Sequence, residues 1–373
     1  MTISIREVTT RSSLKAFIKF PASLYKKNPN WLPPLYIDEW NFHNKNKNKA
    51  YAVSDTILFT AHLDNKIVGR IMGIINYKYN EMKSENNARF FAFECIDDSE
   101  VAFALLRSVE DWARSKGMEK IIGPFGFSDK DPQGFLITGF EYPAIIITPY
   151  NPEYYNRLVE EYGFQKEVDL VEYRISVPEN IPEFYQKILN RVSQNNHIKC
   201  IEFSKKKELK PYIIPVLRLM NETFSEVYGS YELTDDEMKK LAADYMPVLD
   251  PEFVKVILND ENEAISFFIG LPDIAPGLKK ARGRLFPLGL YFILRSLKHT
   301  DQLVLMLGGI KPAYQGKGLD VLMGVKMLES TFKRGYKKID SHLELETNTK
   351  VRAEMERMGG QIIKKFRIYQ KSI

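Results

Sequence analysis

Four residues late in the chain, Gln315-Gly-Lys-Gly318, have the types and spacing to hold an anion. Gly316 and Gly318 carry no Cβ, so the backbone there can come close to a ligand. The following segment, Leu319–Arg334, repeats apolar residues at helical spacing (Val321, Val325, Leu328, Phe332). The first amides of such a helix have no partner within it and carry partial positive charge. They suit a phosphate or pyrophosphate at about 0.3–2 kcal/mol per contact, so several must act together. Two familiar phosphate loops do not fit. G-x-x-x-x-G-K-[ST] is absent, and G-x-G-x-x-G fails because Gly316-x-Gly318 runs on into Asp320 and Val321.

A second reactive set lies just beyond. In Lys337-Lys-Ile-Asp-Ser-His-Leu-Glu-Leu-Glu346, strand alternation places Asp340, His342, Glu344 and Glu346 on one face, and Ile339, Ser341, Leu343 and Leu345 on the other. Neighbouring carboxylates can raise one pKa toward neutrality, which suits a general base. A solvated strand face has the same composition. Asp273, after Leu271-Pro272, reads either as another base or as a turn residue. The remaining histidines (His43, His62, His197, His299) have no metal spacing, so no metal is expected, and G-x-S-x-G is missing.

These groups need a frame. Gln302–Ile310 is an unbroken apolar run, as in a strand covered on both faces. Pro312 stops it, and Gly335 stands where a left-handed cap would end the helix. The 373 residues suit two domains, each able to bury a core. Residues 1–180 read as a first lobe, 181–197 as a linker with a helix over 181–195, and 198–373 as a second lobe repeating the order of elements. First-lobe strands are expected at 57–63, Lys66–Asn76 (after an Asp64-Asn65 hairpin), 89–96, 121–124, 144–148 and 168–177, with helices over 14–26 and 99–116. Residues 128–134 read as a polar loop. Thr234 and Glu237 make a capping box. Residues 288–297 form a helix apolar nearly all round and ending in Arg295, Lys298 and His299. It reads as a buried core helix, as the wall of a hydrophobic pocket, or as an interfacial helix meeting lipid head groups.

A net charge of +5, spread along the chain, is too weak to argue for nucleic acid but suits an anionic small molecule or membrane surface. Two cysteines, Cys95 and Cys200, make no disulfide framework, so a cytoplasmic protein is expected, with peripheral contact at the inner membrane face as the variant. The first residues do not read as a signal peptide, and no run approaches the ~20 apolar residues of a membrane span. Nothing in the sequence speaks to the oligomeric state.

Gln315, Gly318 and the preceding Pro312 resemble the pyrophosphate loop of the GCN5-related N-acetyltransferases (GNAT), Gln/Arg-x-x-Gly-x-Gly/Ala, with Asp320 departing where that family has Gly or Ala. Further segments are similar to one branch of it: Asn28-Pro-Asn-Trp-Leu-Pro-Pro34, Gly69-Arg70, Gly123-Pro124, Tyr150-Asn-Pro-Glu-Tyr-Tyr155, Gly283-Arg-Leu-Phe-Pro287, and Glu346-Thr-Asn348 through Arg357-Met-Gly-Gly360 to Arg367-Ile-Tyr369. That branch is the two-lobed bacterial acyltransferase group resembling bacterial ceramide synthases, which join a long acyl group from acyl-CoA to a sphingoid-base amine. The resemblance implies an α/β (α+β) tandem GNAT fold of two mixed-sheet lobes. It implies an acyl-CoA thioester as donor and a primary amine, such as a lipid amine, as acceptor. Coenzyme contacts fall on Leu307, Gly309, Ile310, Gln315, Gly316, Lys317, Gly318, Leu319 and Asn348, with backbone N–H groups of residues 307–310 as oxyanion donors. Glu346, His342 and Glu344 are the base candidates. Met355 stands where many members carry a tyrosine that protonates the leaving thiolate, leaving Tyr314 or water for that step. The first lobe has Asp97-Asp98-Ser99-Glu100 after its third core strand, so no coenzyme site is expected there. Two other readings remain: a two-lobed transferase using aminoacyl-tRNA, and a non-catalytic acyl-CoA-binding or interaction module.

Overall fold

The structure is a computed structural model and describes residues 2–193 and 197–373. Residues 194 and 195, the end of the expected linker helix, lie outside the described residues. The strands are β1 (Ile3–Glu7), β2 (Ser54–Leu63), β3 (Lys66–Asn76), β4 (Asn87–Cys95), β5 (Lys120–Gly123), β6 (Phe135–Thr138), β7 (Gln165–Ser176), β8 (Ile198–Glu202), β9 (Val254–Asn259), β10 (Ala264–Pro272), β11 (Gln302–Ile310), β12 (Lys338–Asp340), β13 (Glu344–Leu345) and β14 (Gln361–Ser372).

They join in one sheet of order β1-β2-β3-β4-β5-β14-β7-β12-β11-β10-β9-β8, with β6 beside β14 and β13 beside β7. The halves exchange their last strands. β14 lies between β5 and β7, antiparallel to both, and β7 carries β12 and β13 on its other edge. A buried chain of polar groups crosses this junction. Gln302 on β11 donates to Asp340 on β12 (2.6 Å), Arg174 on β7 holds Asp340 with two bonds of 2.7 Å, and Lys364 on β14 donates to Glu172 on β7 (2.9 Å). Asp340, Glu172 and Lys364 have almost no exposure. Asp340 is therefore not on a solvated face, because Arg174 from the other half supplies its counter-charge.

Among the described residues two strand pairs are parallel, and they match. β4 meets β5 from Asn87↔Lys120 to Arg89↔Ile122, and β11 meets β12 from Gln302↔Lys338 to Val304↔Asp340. Beyond those positions each pair opens into a fork. A helix packs behind each fork. Helix Ser99–Ser115 buries Val101, Leu105 and Val109 in the first-half core, and helix Leu319–Arg334 puts Met327 and Leu328 in a cluster with Leu303, Leu305 and Tyr173. Local signals hold where turn chemistry is specific. Asp64 and Asn65 have φ 47° and 66°, as a two-residue hairpin needs, and Gly335 caps its helix at φ 67°.

Three expectations are corrected. Residues 144–148 form no strand; the strand of this region comes earlier, as β6 (Phe135–Thr138), paired with β14. Ile145, Ile146 and Ile147 are apolar because they cover Leu271, Val304 and Met306 of the other half. The helix expected at 288–297 is Gly289–His299, and it is not a core helix: Leu290, Tyr291 and Leu294 are exposed. The strand expected through residues 337–346 breaks after Asp340 and resumes only at Glu344, because the Ser341 hydroxyl accepts from Tyr173 N–H (2.9 Å) in place of a ladder bond.

Candidate active site

The second fork has an open inner edge. β11 slips its register against β10 between Leu305 and Leu307, leaving Met306 as the extra residue of a bulge. Lys311 N–H donates to Ile265 carbonyl (2.9 Å) and the register pairs Gly309 with Phe267, so alternation commits the amides of Leu307 and Gly309 to β10. The amides of Gly308 and Ile310 then face the opening. Gly308 is exposed, and among the described residues no side chain takes either amide. The expected donors spanned residues 307–310; the register turns Gly308 and Ile310 toward the opening and Leu307 and Gly309 toward β10.

The loop at the end of this arm carries the glycines. Gly316 (φ 73°) is exposed with nothing within 4 Å of where a Cβ would stand. Gly318 (φ 81°) opens helix Leu319–Arg334 without a side-chain cap. Its need for glycine is at least partly internal: a Cβ would lie 2.8 Å from Val192 and 3.2 Å from Ile188 of linker helix Glu183–Ser193. Leu319 is buried beneath that helix with Val192 and Leu322. Gln315 reaches back to Ile310 carbonyl (3.3 Å), and Lys317 lies over the Tyr314 ring at 4.9 Å. Asp320 is close enough to Tyr185 and Glu354 to raise the pKa of both, which places it on the linker-helix side.

The other arm holds the expected base candidates, and the break at residues 341–343 separates them. Glu344 pairs with Val171, and paired residues share a face. Val171 packs with Met327, Leu328 and Met355, so Glu344 stands on the helix side of the sheet. Burial pushes its carboxyl up to about 7, partly offset by a hydrogen bond from Asn348. Asn348 also caps helix Thr349–Arg357 through Val351 N–H. His342 is held below its usual pKa by burial, and Asp129 of the first half lies near it. Its Nδ1 is 3.2 Å from Leu343 carbonyl, which can only accept, so Nδ1 carries the proton and Nε2 is left as a base. Glu346 is taken by Lys166, which also binds Asp169, so it belongs to a half-exposed ion-pair group. Met355 lies in the core beside Leu303, Leu305 and Met327. Among the described residues no group of three His, Cys, Asp or Glu could hold a metal ion.

Two groups were underweighted or missed from sequence. Asp273 is buried at the end of β10, and burial pushes it up to about 6 while its carboxylate accepts from Ala275 N–H (2.9 Å). Asp131 sits in the loop read as merely polar. It is likewise pushed up to about 6 by burial, and it accepts from Phe127 N–H (2.7 Å). Neither burial has a local signal, because the cover comes from distant segments.

A sheet whose parallel strands part beyond a bulge, with a turn and helix after the bulged strand, twice over, and with glycines in the second turn alone, defines a tandem GNAT fold. Solved structures agree in fold. The tandem GNAT protein from the clavulanic acid biosynthesis pathway superposes with a TM-score of 0.57 at 9% identity, covering 100% of this chain and 98% of that one. The GCN5-related N-acetyltransferase from Sphaerobacter thermophilus gives 0.53 at 10% identity, covering 99% and 95%. No family model matches the sequence. The chain belongs to the same family as Protein YghO of Escherichia coli (strain K12), with 31% identity over 385 residues, 99% of this chain and 95% of that protein. It is also 27% identical over 381 residues to the bacterial ceramide synthase of Caulobacter vibrioides (strain NA1000 / CB15N), covering 100% and 98%.

Proposed function

We propose that this protein is an acyl-CoA-dependent N-acyltransferase whose donor site is the fork between β11 and β12. The observation that supports this is the inner edge of β11, where the Gly308 and Ile310 amides lead to the exposed Gly316 turn. The bound coenzyme thioester supplies the activated acyl group. The two amides stabilise negative charge on a carbonyl oxygen placed between the arms. Gly316, Lys317 and the first amides of helix Leu319–Arg334 receive the diphosphate. Glu344, held by Asn348, has a pKa near neutrality that suits it to take the proton from the attacking amine. As the C–N bond forms the C–S bond breaks, and coenzyme A leaves as a thiolate that takes its proton from water. Residues 198–373 thus carry the donor side. The first-half loop, with Tyr142 against Arg174 and Ile145 against Val304, covers the opposite face together with Asp129 and shapes the acceptor side, from which the amine reaches Glu344 through the gap between the arms.

The acceptor is a primary amine and the preferred pair is a long-chain acyl-CoA with a sphingoid base, on the similarity to the Caulobacter enzyme. The burial of Met355 and the contact of Val192 with Gly318 favour a second reading, a module that binds acyl-CoA without turnover. The test is to incubate the purified chain with palmitoyl-CoA or acetyl-CoA and sphinganine, following thiol release and amide formation by mass spectrometry, with calorimetry in parallel. Amide formed with stoichiometric thiol supports the enzyme. Binding without thiol release supports the module. Absence of binding to either thioester removes the donor site from the fork.

A further inference from the structure

Among the described residues, the least covered apolar surface lies on the segment just before β11. Phe286 is 76% exposed, Leu288 59%, Tyr291 57% and Leu294 47%. They cluster on helix Gly289–His299 and the turn before it. The helix is anchored from beneath: Ile293 and Leu297 pack with Ile274, Leu278 and Leu285 on Leu32 and Leu35 of the first half. Its outer face is therefore presented by a fixed support. Ile37, also more than half exposed, follows Tyr36, whose N–H donates to Gly283 carbonyl (2.9 Å), and so extends the patch.

The charges on the segment that presents it have one sign, and exposed Asp38 beside Ile37 is the exception at its edge. Between residues 274 and 300 stand Lys279, Lys280, Arg282, Arg284, Arg295 and Lys298, with no Asp or Glu. Arg282, Arg284, Arg295 and Lys298 are exposed. Along the outer face Leu290, Tyr291 and Leu294 give way to Arg295 and Lys298 within one further turn. A protein partner would need large apolar side chains ringed by carboxylates. A second copy in a two-fold dimer would set these cations against themselves. A lipid surface with anionic head groups matches both features at once, with apolar side chains entering the acyl boundary and cations at the phosphate level.

We propose that this face, centred on Phe286, Leu288, Tyr291 and Leu294, docks the protein on membranes rich in anionic phospholipid. The docking is independent of the donor-site reading, since it needs neither coenzyme nor turnover. If that reading holds, docking sets the acceptor side toward lipid: Ser296 of the same helix donates to Asp273 carbonyl (3.4 Å) at the end of β10.

The experiment uses the full chain in vesicle flotation. One set of vesicles is phosphatidylcholine, the other phosphatidylcholine with about 30 mol % phosphatidylglycerol. The chain is expected to float with the second set only, and to release in roughly 0.5 M salt. Phe286→Ser/Leu288→Ser/Leu294→Ser is expected to lower partitioning by at least about tenfold. Arg295→Glu/Lys298→Glu is expected to lower it by about fivefold or more for each charge reversed. These side chains are exposed, and an unchanged thermal melt shows that the variants fold. Failure of the wild-type chain to float with anionic vesicles overturns the proposal, as does equal flotation by the folded triple-serine variant. A dimer in sedimentation velocity that the triple-serine change abolishes, with no vesicle binding, assigns the face to a second copy instead.

Discussion

The two forks share a backbone plan and differ in what fills them. In the first half Ile96 N–H donates to Val68 carbonyl (3.0 Å), just as Lys311 donates to Ile265 in the second, so Cys95 occupies the place of Ile310. Both outward groups of Cys95 are taken: Tyr155 hydroxyl accepts from its N–H (3.1 Å) and Tyr154 hydroxyl donates to its carbonyl (2.7 Å). The next helix is closed too. Asp98 accepts from Glu100 and Val101 N–H (2.9 and 3.1 Å), placing a carboxylate where an anion would sit. In the second half a glycine opens the helix, and the amides of Gly308 and Ile310 face the gap. One copy of the motif completes its own hydrogen bonds and becomes a scaffold. The other leaves them open, which is the condition for a ligand.

The largest expected effect concerns a group that only the open fork holds. Glu344→Gln keeps the shape and the hydrogen-bonding capacity toward Asn348 but cannot take a proton. Turnover with saturating amine should fall by about 10²–10⁴-fold with little change in donor affinity. The pH profile carries the sign. Below about 7 the wild-type carboxyl is protonated and idle, so kcat/KM rises as pH passes through that value. In Glu344→Gln this limb disappears, and only the rise from amine ionisation remains. If His342 were the base, its depressed pKa would move the limb below the usual histidine value of about 6.5. A limb there that persists in Glu344→Gln overturns the assignment.

Next in size is the glycine turn. Gly318 is a poor probe, since any side chain meets Val192. Gly316 is a clean one, with open space around it and a left-handed φ that Asn and Asp tolerate. Gly316→Asp and Gly316→Asn match in shape and differ in charge. The aspartate variant should bind palmitoyl-CoA roughly 30-fold more weakly than the asparagine variant, corresponding to about 2 kcal/mol of repulsion, and the gap should shrink with salt. Equal affinities by calorimetry would put the diphosphate elsewhere.

How much of this was legible depended on where the cause lay. β11, the turn and helix Leu319–Arg334 match the expected bounds, because Pro312, the glycines and the helical period are local signals. The capping box at Thr234 is also formed, with Glu237 accepting from Thr234 N–H (2.8 Å). The absence of a glycine loop in the first half was legible as well, from the residues Asp97 to Glu100. Long-range causes were not. Asp340 is buried only because Arg174 arrives from 166 positions away. Residues 144–148 are apolar without pairing, because they cover the other half's sheet. Alternation through residues 337–346 failed at the Ser341 bond to Tyr173, which detached His342 from Glu344 and Glu346. The exchange of β7 and β14 has no local mark at all.

The smallest effects test whether the closed fork is purely structural. Tyr155→Phe removes the hydroxyl that accepts from Cys95 N–H and meets Tyr25 hydroxyl at 3.0 Å, both in the core. Leaving a buried amide unpaired should cost about 1–3 kcal/mol in denaturant unfolding. Asp98→Ala removes the cap of helix Ser99–Ser115 and should cost about 1 kcal/mol. In both variants the calorimetric stoichiometry for palmitoyl-CoA should stay at one per chain and turnover should be unchanged. Uncapping that helix frees its first amides, yet Tyr154 and Tyr155 still fill the inner edge of β4, so a free helix start is not enough to make a site there. A second equivalent of thioester bound by Asp98→Ala would mean that the carboxylate alone had kept the first fork shut, and that the tyrosines are incidental to the difference between the halves.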